Sequence, residues 1–455
     1  MSWSLALLCF AMVAAALLLR WRIGFNLGLS SVLISFLLLF HGPAYLYYTR
    51  VYGPDTEFFD VITSAAKGAD VMPTLDLALA LTFVFVCLGM LFADLATATR
   101  ACTWRLALQR WSREPLGVPA VSKRRLVAAA AGFAIALLLP FVFIDAQLPK
   151  VLEYFTSDLS EFEKIALRRE GGGSGFYLYN LALGNVIPFL AFGLLALALA
   201  RVRIVKPWAI GFLVLVMIGK AATLSKAPLA VFVLQCAIVW LMMKRLTLST
   251  RAIVLLGALA LVLFMVMAWV ANPSGDEVAL VLEFLFYRVF MNVNESLLEY
   301  FAAIPYVLPH SWGSQSSWIA ELFQAEPKLP TYLLVGEVHR GTLGSTTTVM
   351  FMGDAWADFA WAGVVIVAFI AGAVVRWIDI RLIVGRGKTV ATVAGLALGH
   401  FGLFVAMSTS LQTSFVTGGL LFIVPLVALV SGRMKASPVK ARRFDLPHGT
   451  GIPQP

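Results

Sequence analysis

The sequence predicts an all-α, polytopic transmembrane bundle of about eleven helices with one large extracytoplasmic loop that contains an amphipathic helix. Three observations predict it. Of 455 residues, 60% are hydrophobic and only 13% charged, too few polar groups to cover a water-soluble surface. Apolar runs long enough to cross the hydrocarbon core as helices recur along the whole chain. They lack the polar–apolar alternation of membrane barrel strands. Finally, basic residues gather in the short segments between alternate runs.

The apolar runs fall at 3–19, 23–48, 72–98, 126–144, 176–200, 207–224, 228–243, 252–271, 347–377, 389–407 and 409–431. No positive charge precedes the first run, and Arg20 and Arg22 follow it. That order predicts an uncleaved first helix entering from outside, not a signal peptide. Alternate placement then puts most of the 35 basic residues inside. These are the clusters at 100–125, 201–206, 244–251 and 376–388 and the basic tail after 432. All acidic residues except Asp94, Glu114, Asp379 and Asp445 fall on or near the outer side. The expected layout is an N-terminal membrane bundle over 1–271, a periplasmic loop over 272–346, C-terminal membrane helices over 347–432, and a cytoplasmic tail over 433–455. The net charge of +10 therefore belongs to membrane sidedness and predicts no nucleic-acid partner.

Residues 277–304 are apolar enough to imitate another span, yet Arg288, Asn292, Glu295 and Glu299 recur at helical spacing. Crossing would cost about 2.5–3.5 kcal/mol for each charge near the bilayer centre. The segment is expected to lie at the outer interface or partly sunk into the protein.

Ionisable groups in or beside the spans are functional candidates. Lys220 and Lys226 in GKAATLSKAP run against the positive-inside trend, and an anionic lipid-linked diphosphate would account for both. Snorkelling to the outer headgroups is the alternative. Asp354 and Asp358 in GDAWADFAWAG share one helix face at the outer mouth of their span. One of them could act as a general base toward a sugar hydroxyl, or both could simply favour a helix N-terminus. The EVHR run at 337–340 brings Glu337, His339 and Arg340 together just before a span; with the two aspartates, Glu337 and His339 complete the catalytic candidates. Arg340 and Arg288 can grip phosphate bidentately, although solvated loop charges are a common alternative. His310, Trp312 and Glu295 are candidates for sugar contacts, and Trp312 also fits an interfacial aromatic belt. No ligand spacing for a metal and no GxSxG nucleophile elbow is present.

The layout, together with YFAAIP at 300–305, GDAWADFAWAGVV at 353–365 and GKAATLSKAPLAVFVL at 219–234, resembles bacterial oligosaccharide repeat-unit polymerases of the O-antigen type. The resemblance covers roughly residues 176–431. It implies a C-type glycosyltransferase fold in the inner membrane, with an external active site and no cofactor or metal. The implied reaction joins undecaprenyl-diphosphate-linked oligosaccharides: a hydroxyl of one chain attacks the anomeric carbon of another and releases the lipid diphosphate. Arg288 and Arg340 would take the cationic roles, with Lys220 or Lys226 assisting. Membrane lipids, a chain-length regulator and a flippase are the other implied partners. A related O-antigen ligase or another lipid-linked glycan transferase is the nearest alternative. A flippase or other transporter is a further one, but related halves and charged midplane helices are not apparent.

Overall fold

The computed structural model describes residues 2–117, 182–221, 226–249, 286–314, 329–341 and 346–431, with isolated positions between 251 and 283. Its elements are helices, joined by two isolated bridges, Asn26 with Thr247 and Gly117 with Thr389. Among the described residues, five helices are long and apolar enough to cross a membrane: Trp3–Ile23, Leu29–Asp55, Met72–Ala96, Phe351–Val384 and Leu411–Ser431. Three apolar helices are shorter: Gly184–Leu199, Pro228–Lys244 and Val390–Ala406. The expected spans at 126–144 and most of 252–271 lie outside the described residues.

In chain order the helices are α1 (Trp3–Leu18), α2 (Leu29–His41), α3 (Pro43–Tyr47), α4 (Glu57–Ser64), α5 (Met72–Ala96) and α6 (Ala101–Arg113). After the undescribed stretch come α7 (Ile187–Leu199), α8 (Lys206–Ala221) and α9 (Lys226–Lys244). Next are α10 (Asn292–Ala303), α11 (Thr331–Arg340) and α12 (Phe351–Asp379). The last three are α13 (Val390–Ala406), α14 (Leu411–Val416) and α15 (Leu420–Ser431).

Among the described elements the most extensive packed seam runs between α5 and α12, and α1 also packs on α5. Small residues permit that seam. A β-carbon on Gly89 would collide with the Phe369 carbonyl oxygen, and one on Gly372 with the Val86 carbonyl oxygen. Backbones this close gain van der Waals contact, the main attraction between helices already in lipid. A second group packs α7, α8, α9 and α15 around or beside α13, and α2 touches both α12 and α13.

Two apolar runs are broken where a single helix was expected. The run at 23–48 becomes a π-helical turn ending at Ile23, an irregular link, and α2 starting at Leu29. Asp379 from the end of α12 makes that start. Its carboxylate accepts the backbone N–H groups of Leu29 and Ser30 at 2.8 Å each and the Ser30 hydroxyl at 2.6 Å. These amides open a helix and have no partner within it, and a negative charge there is favoured by the helix dipole. The run at 409–431 divides at Gly418–Gly419 into α14 and α15.

The basic cluster at 376–388 is not a uniformly solvated inner rim. Arg376 is 0% exposed. Its Nε donates to Asp94 Oδ1 at 2.8 Å, while Arg22 Nε donates to Asp94 Oδ2 at 2.7 Å. The Arg376 guanidinium lies over the Trp104 ring, 4.0 Å from its centroid. Charge segregation placed Arg376 in a loop because the sequence offers no cue that Asp94 stands at the same depth on another helix.

Candidate functional site

The polar stripe of 288–299 is where the structure concentrates buried chemistry. The segment enters through a π-helical turn, Tyr287–Met291, and continues as α10, in which every residue from Asn294 to Ala303 is buried. Surrounding it are α2, α4, α5, α11, α12 and the turn Tyr48–Tyr52. A buried polar stripe is costly unless its groups find hydrogen-bond partners. Successive side chains of α10 meet different partners. Asn294 accepts from His41 Nδ1 at 3.0 Å and donates to the carbonyls of Phe40 and Phe290. Glu295 accepts from the Tyr287 hydroxyl at 2.6 Å. Glu299 accepts from Arg340 Nη2 at 2.9 Å on one oxygen and from the Thr347 hydroxyl at 2.6 Å on the other. The Tyr300 hydroxyl donates to Asp354 Oδ1 at 3.2 Å.

Helix α11 delivers Arg340 and His339 from its last turn. Gly341 ends it in the left-handed region, φ +66°, with its N–H on the Glu337 carbonyl at 2.8 Å. A side-chain-bearing residue resists that conformation. The EVHR run is thereby split: His339 turns inward, Glu337 is exposed, and the Arg340 side chain is 32% exposed. His339 Nε2 sits 2.9 Å from the Glu299 carbonyl oxygen, so that nitrogen carries the proton. Nδ1 is left as a buried lone pair with no hydrogen bond among the described residues. Burial pushes the His339 imidazole below its ordinary value of 6.5, and the Arg340 charge acts in the same direction.

The two α10 carboxyls differ in setting. Glu299 is 0% exposed and has both oxygens engaged. Glu295, 5% exposed, is pushed above the usual carboxylate range by burial and by the Glu299 charge, with Tyr287 and Arg340 opposing the shift. The Tyr48 hydroxyl also faces Glu295. Tyr287 is raised by burial and by its bond to Glu295.

A second group adjoins the first through Tyr300. Burial and then the charges of Asp354, Asp358 and Glu299 raise its phenol well above the ordinary value. Residues 310–312 wrap the first turns of α12: His310 Nδ1 lies 2.9 Å from the Trp356 carbonyl, and Trp312 N–H donates to the Asp358 carbonyl at 2.9 Å. The Ser311 hydroxyl donates to the Asp358 carboxylate. His310 stands edge-on to Trp356, centroids 5.2 Å apart, and Trp356 stacks on Phe301 of α10 at 4.7 Å. Trp312 itself is 65% exposed. Helix α12 kinks directly afterwards, at Phe359 and Ala360.

The structure thus brings together Glu295, His339, Arg340 and Asp354 and sets Asp358, His310 and Trp312 beside them. Arg288 is exposed on the turn that carries Tyr287. Lys220 lies apart, buried on α8 with the rings of Phe401 and Phe232 at 5.0 and 5.9 Å from its ammonium. Lys226 opens α9, and its side chain lies outside the described residues. Nothing in the sequence pattern marks Tyr287, Tyr48, Tyr300 or Thr347 as site residues. A tyrosine in an aromatic-rich membrane protein reads first as an interfacial belt residue. Among the described residues no group of three or more His, Cys, Asp or Glu could hold a metal ion.

No protein-family model, no curated protein and no solved structure matches this chain.

Proposed function

We propose that this chain is a membrane-embedded glycosyltransferase that polymerises undecaprenyl-diphosphate-linked oligosaccharide repeat units on the periplasmic face of the inner membrane. In this reading about eleven helices span, the N-terminus is periplasmic and the C-terminus cytoplasmic. The α10–α11–α12 cluster then lies at the outer surface. The observation that carries the proposal is Arg340: a guanidinium one-third exposed and held from behind by a buried carboxylate, with Arg288 on the adjoining turn. Such a pair can meet the charge that develops on a departing diphosphate. Asp354 and Asp358 supply carboxylates, and Trp312 with His310 supplies an aromatic surface for sugar.

A lipid-borne substrate is supported by an apolar groove of about 560 Å³ between α1, α2, α3 and the side chains of Phe286, Phe290 and Met291. It adjoins the turn that bears Tyr287 and Arg288 and falls in the size range of small-molecule sites, roughly 300–1,000 Å³. The buried lone pair of His339 favours one second reading, a lipid-linked glycan ligase that activates an acceptor hydroxyl with histidine.

Deletion of the gene separates these readings. A polymerase deletion retains single repeat units and loses long glycan, a ligase deletion accumulates undecorated polymer, and a flippase deletion loses all external glycan. Arg340→Ala and Arg288→Ala are expected to abolish chain extension while the protein stays inserted. Normal glycan ladders from both variants would remove the diphosphate assignment.

A further inference from the structure

We infer that Tyr287 and Glu295 form a proton-accepting dyad for the attacking sugar hydroxyl, an assignment that rests on the glycosyl-transfer reading above. The geometry separates two carboxyls one helical turn apart on α10. Glu299 has both oxygens engaged by Arg340 and Thr347 and is an anchor. Glu295 is held by the phenol of Tyr287 at 2.6 Å, the length of a charge-assisted O–H···O bond. Tyr287 is half-buried and lies next to the exposed Arg288, so its oxygen bridges the surface to a buried acid. Carboxyls whose surroundings push their proton affinities apart divide naturally into a fixed charge and a proton carrier.

Groups around Glu295 come from every packed element. The preceding turn supplies Tyr287 and Arg288, the turn after α3 supplies Tyr48, and α11 supplies Arg340. On the flanks, His41 of α2 bonds Asn294, and Asp354 of α12 meets Tyr300. Asp76 of α5 is engaged by Tyr45 and Arg50, and Glu57 and Asp60 of α4 are exposed. Burial raises the Glu295 carboxyl, which makes its carboxylate a better proton acceptor than a solvated one.

In the step, the acceptor hydroxyl oxygen bonds to the anomeric carbon. The carbon–oxygen bond to the lipid diphosphate breaks, with its electron pair leaving on the diphosphate, where Arg340 and Arg288 meet the charge. The hydroxyl proton passes to the Tyr287 oxygen as the phenol proton passes to Glu295 Oε2. Tyr287 ends neutral and Glu295 protonated, and the proton returns to water by the reverse path before the next turnover.

The test uses full-length protein in proteoliposomes with lipid-linked repeat units extracted from the deletion strain. Glu295→Gln and Tyr287→Phe are each expected to lower kcat by about 10²–10⁴-fold with little change in KM. Wild type should lose rate as pH falls and Glu295 protonates, whereas Glu295→Gln should lose that acidic limb. Glu295→Asp should restore part of the rate. Tyr287→Phe keeps the ring and removes only the hydroxyl, so it decides the matter if Glu295→Gln fails to fold. Wild-type turnover by Tyr287→Phe, or an unchanged acidic limb in Glu295→Gln, would overturn the dyad alone. Long glycan persisting in the deletion strain, or no turnover by the wild type, would overturn the glycosyl-transfer reading and the dyad with it.

Discussion

Arg340 and Glu299 are joined at 2.9 Å across the α10–α11 contact, with the carboxylate fully buried and the guanidinium one-third exposed. The asymmetry makes Glu299 the fixed partner and Arg340 the one that can reach outward. Arg340→Lys keeps a cation but loses the planar fork that grips two oxygens at once. It is therefore expected to shorten or abolish the glycan ladder. Glu299→Gln leaves Arg340 without its anchoring charge and should weaken elongation through substrate affinity first. Elongation by purified protein as a function of lipid-linked substrate concentration checks both variants.

Asp94 carries two arginines, Arg22 and Arg376, and the second is wholly buried. Asp94→Asn would take from buried Arg376 the carboxylate it is hydrogen-bonded to, leaving only the more distant charge of Asp379, and breaking a buried pair costs about 3–5 kcal/mol. The expected result is a large drop in thermal stability in detergent. Replacing both members, Arg376→Met with Asp94→Leu, should recover much of it, because the pair contributes more by being intact than by being present. A double-mutant cycle on the melting temperature measures the coupling. Equal melting of Asp94→Asn and wild type would show the pair to be inert.

The helical class was legible because the bilayer imposes long apolar runs, and the ends of α5, α12 and α13 fall within a few residues of the runs at 72–98, 347–377 and 389–407. Where the runs break was not legible: Asp379 caps α2 from a position 350 residues away. The site was half legible. Spacing put Arg288, Glu295 and Glu299 on one stripe, and the EVHR cluster put His339 beside Arg340. Spacing could not say that the stripe faces Tyr287, Thr347 and α11 instead of headgroups. Nor could it say that Lys220 is enclosed by Phe232 and Phe401 on other helices. Such pairings are set by tertiary packing between distant segments, and periodicity within one helix carries no record of the partner.

His339 gives a pH dependence with a definite sign. Its folded-state proton affinity lies below the ordinary value of 6.5, so the unfolded chain binds the proton first as pH falls. Its contribution to stability is complete above about pH 6.5 and is lost as pH drops from there through the depressed folded value. Glu295, raised by burial, acts with the opposite sign, gaining stability as pH falls from its raised value toward that of a free carboxylate. The comparison that isolates His339 is wild type against His339→Gln. The difference in melting temperature between pH 7.5 and pH 5.5 should be larger for the wild type. Parallel curves would mean that the imidazole is protonated in both states or in neither.

The α5–α12 seam sets where the first turns of α12, with Asp354 and Asp358, stand against α10. Gly89 and Gly372 lie directly on it, each facing a carbonyl oxygen of the opposite helix. A methyl group at either position meets backbone, which cannot swing aside like the end of a side chain. The helices must separate or slide, and overpacking of this kind costs about 1–3 kcal/mol, occasionally more. Gly372→Leu is therefore expected to lower the melting temperature in detergent. It should also reduce glycan elongation by shifting Tyr300 relative to Asp354, although neither residue is altered. Gly211 of α8 is the control, because a β-carbon there meets nothing within 4 Å among the described residues. Gly211→Ala should leave melting and elongation at wild-type values. If Gly372→Leu behaves like Gly211→Ala, the two helices are not held at the spacing that puts Asp354 in reach of Tyr300.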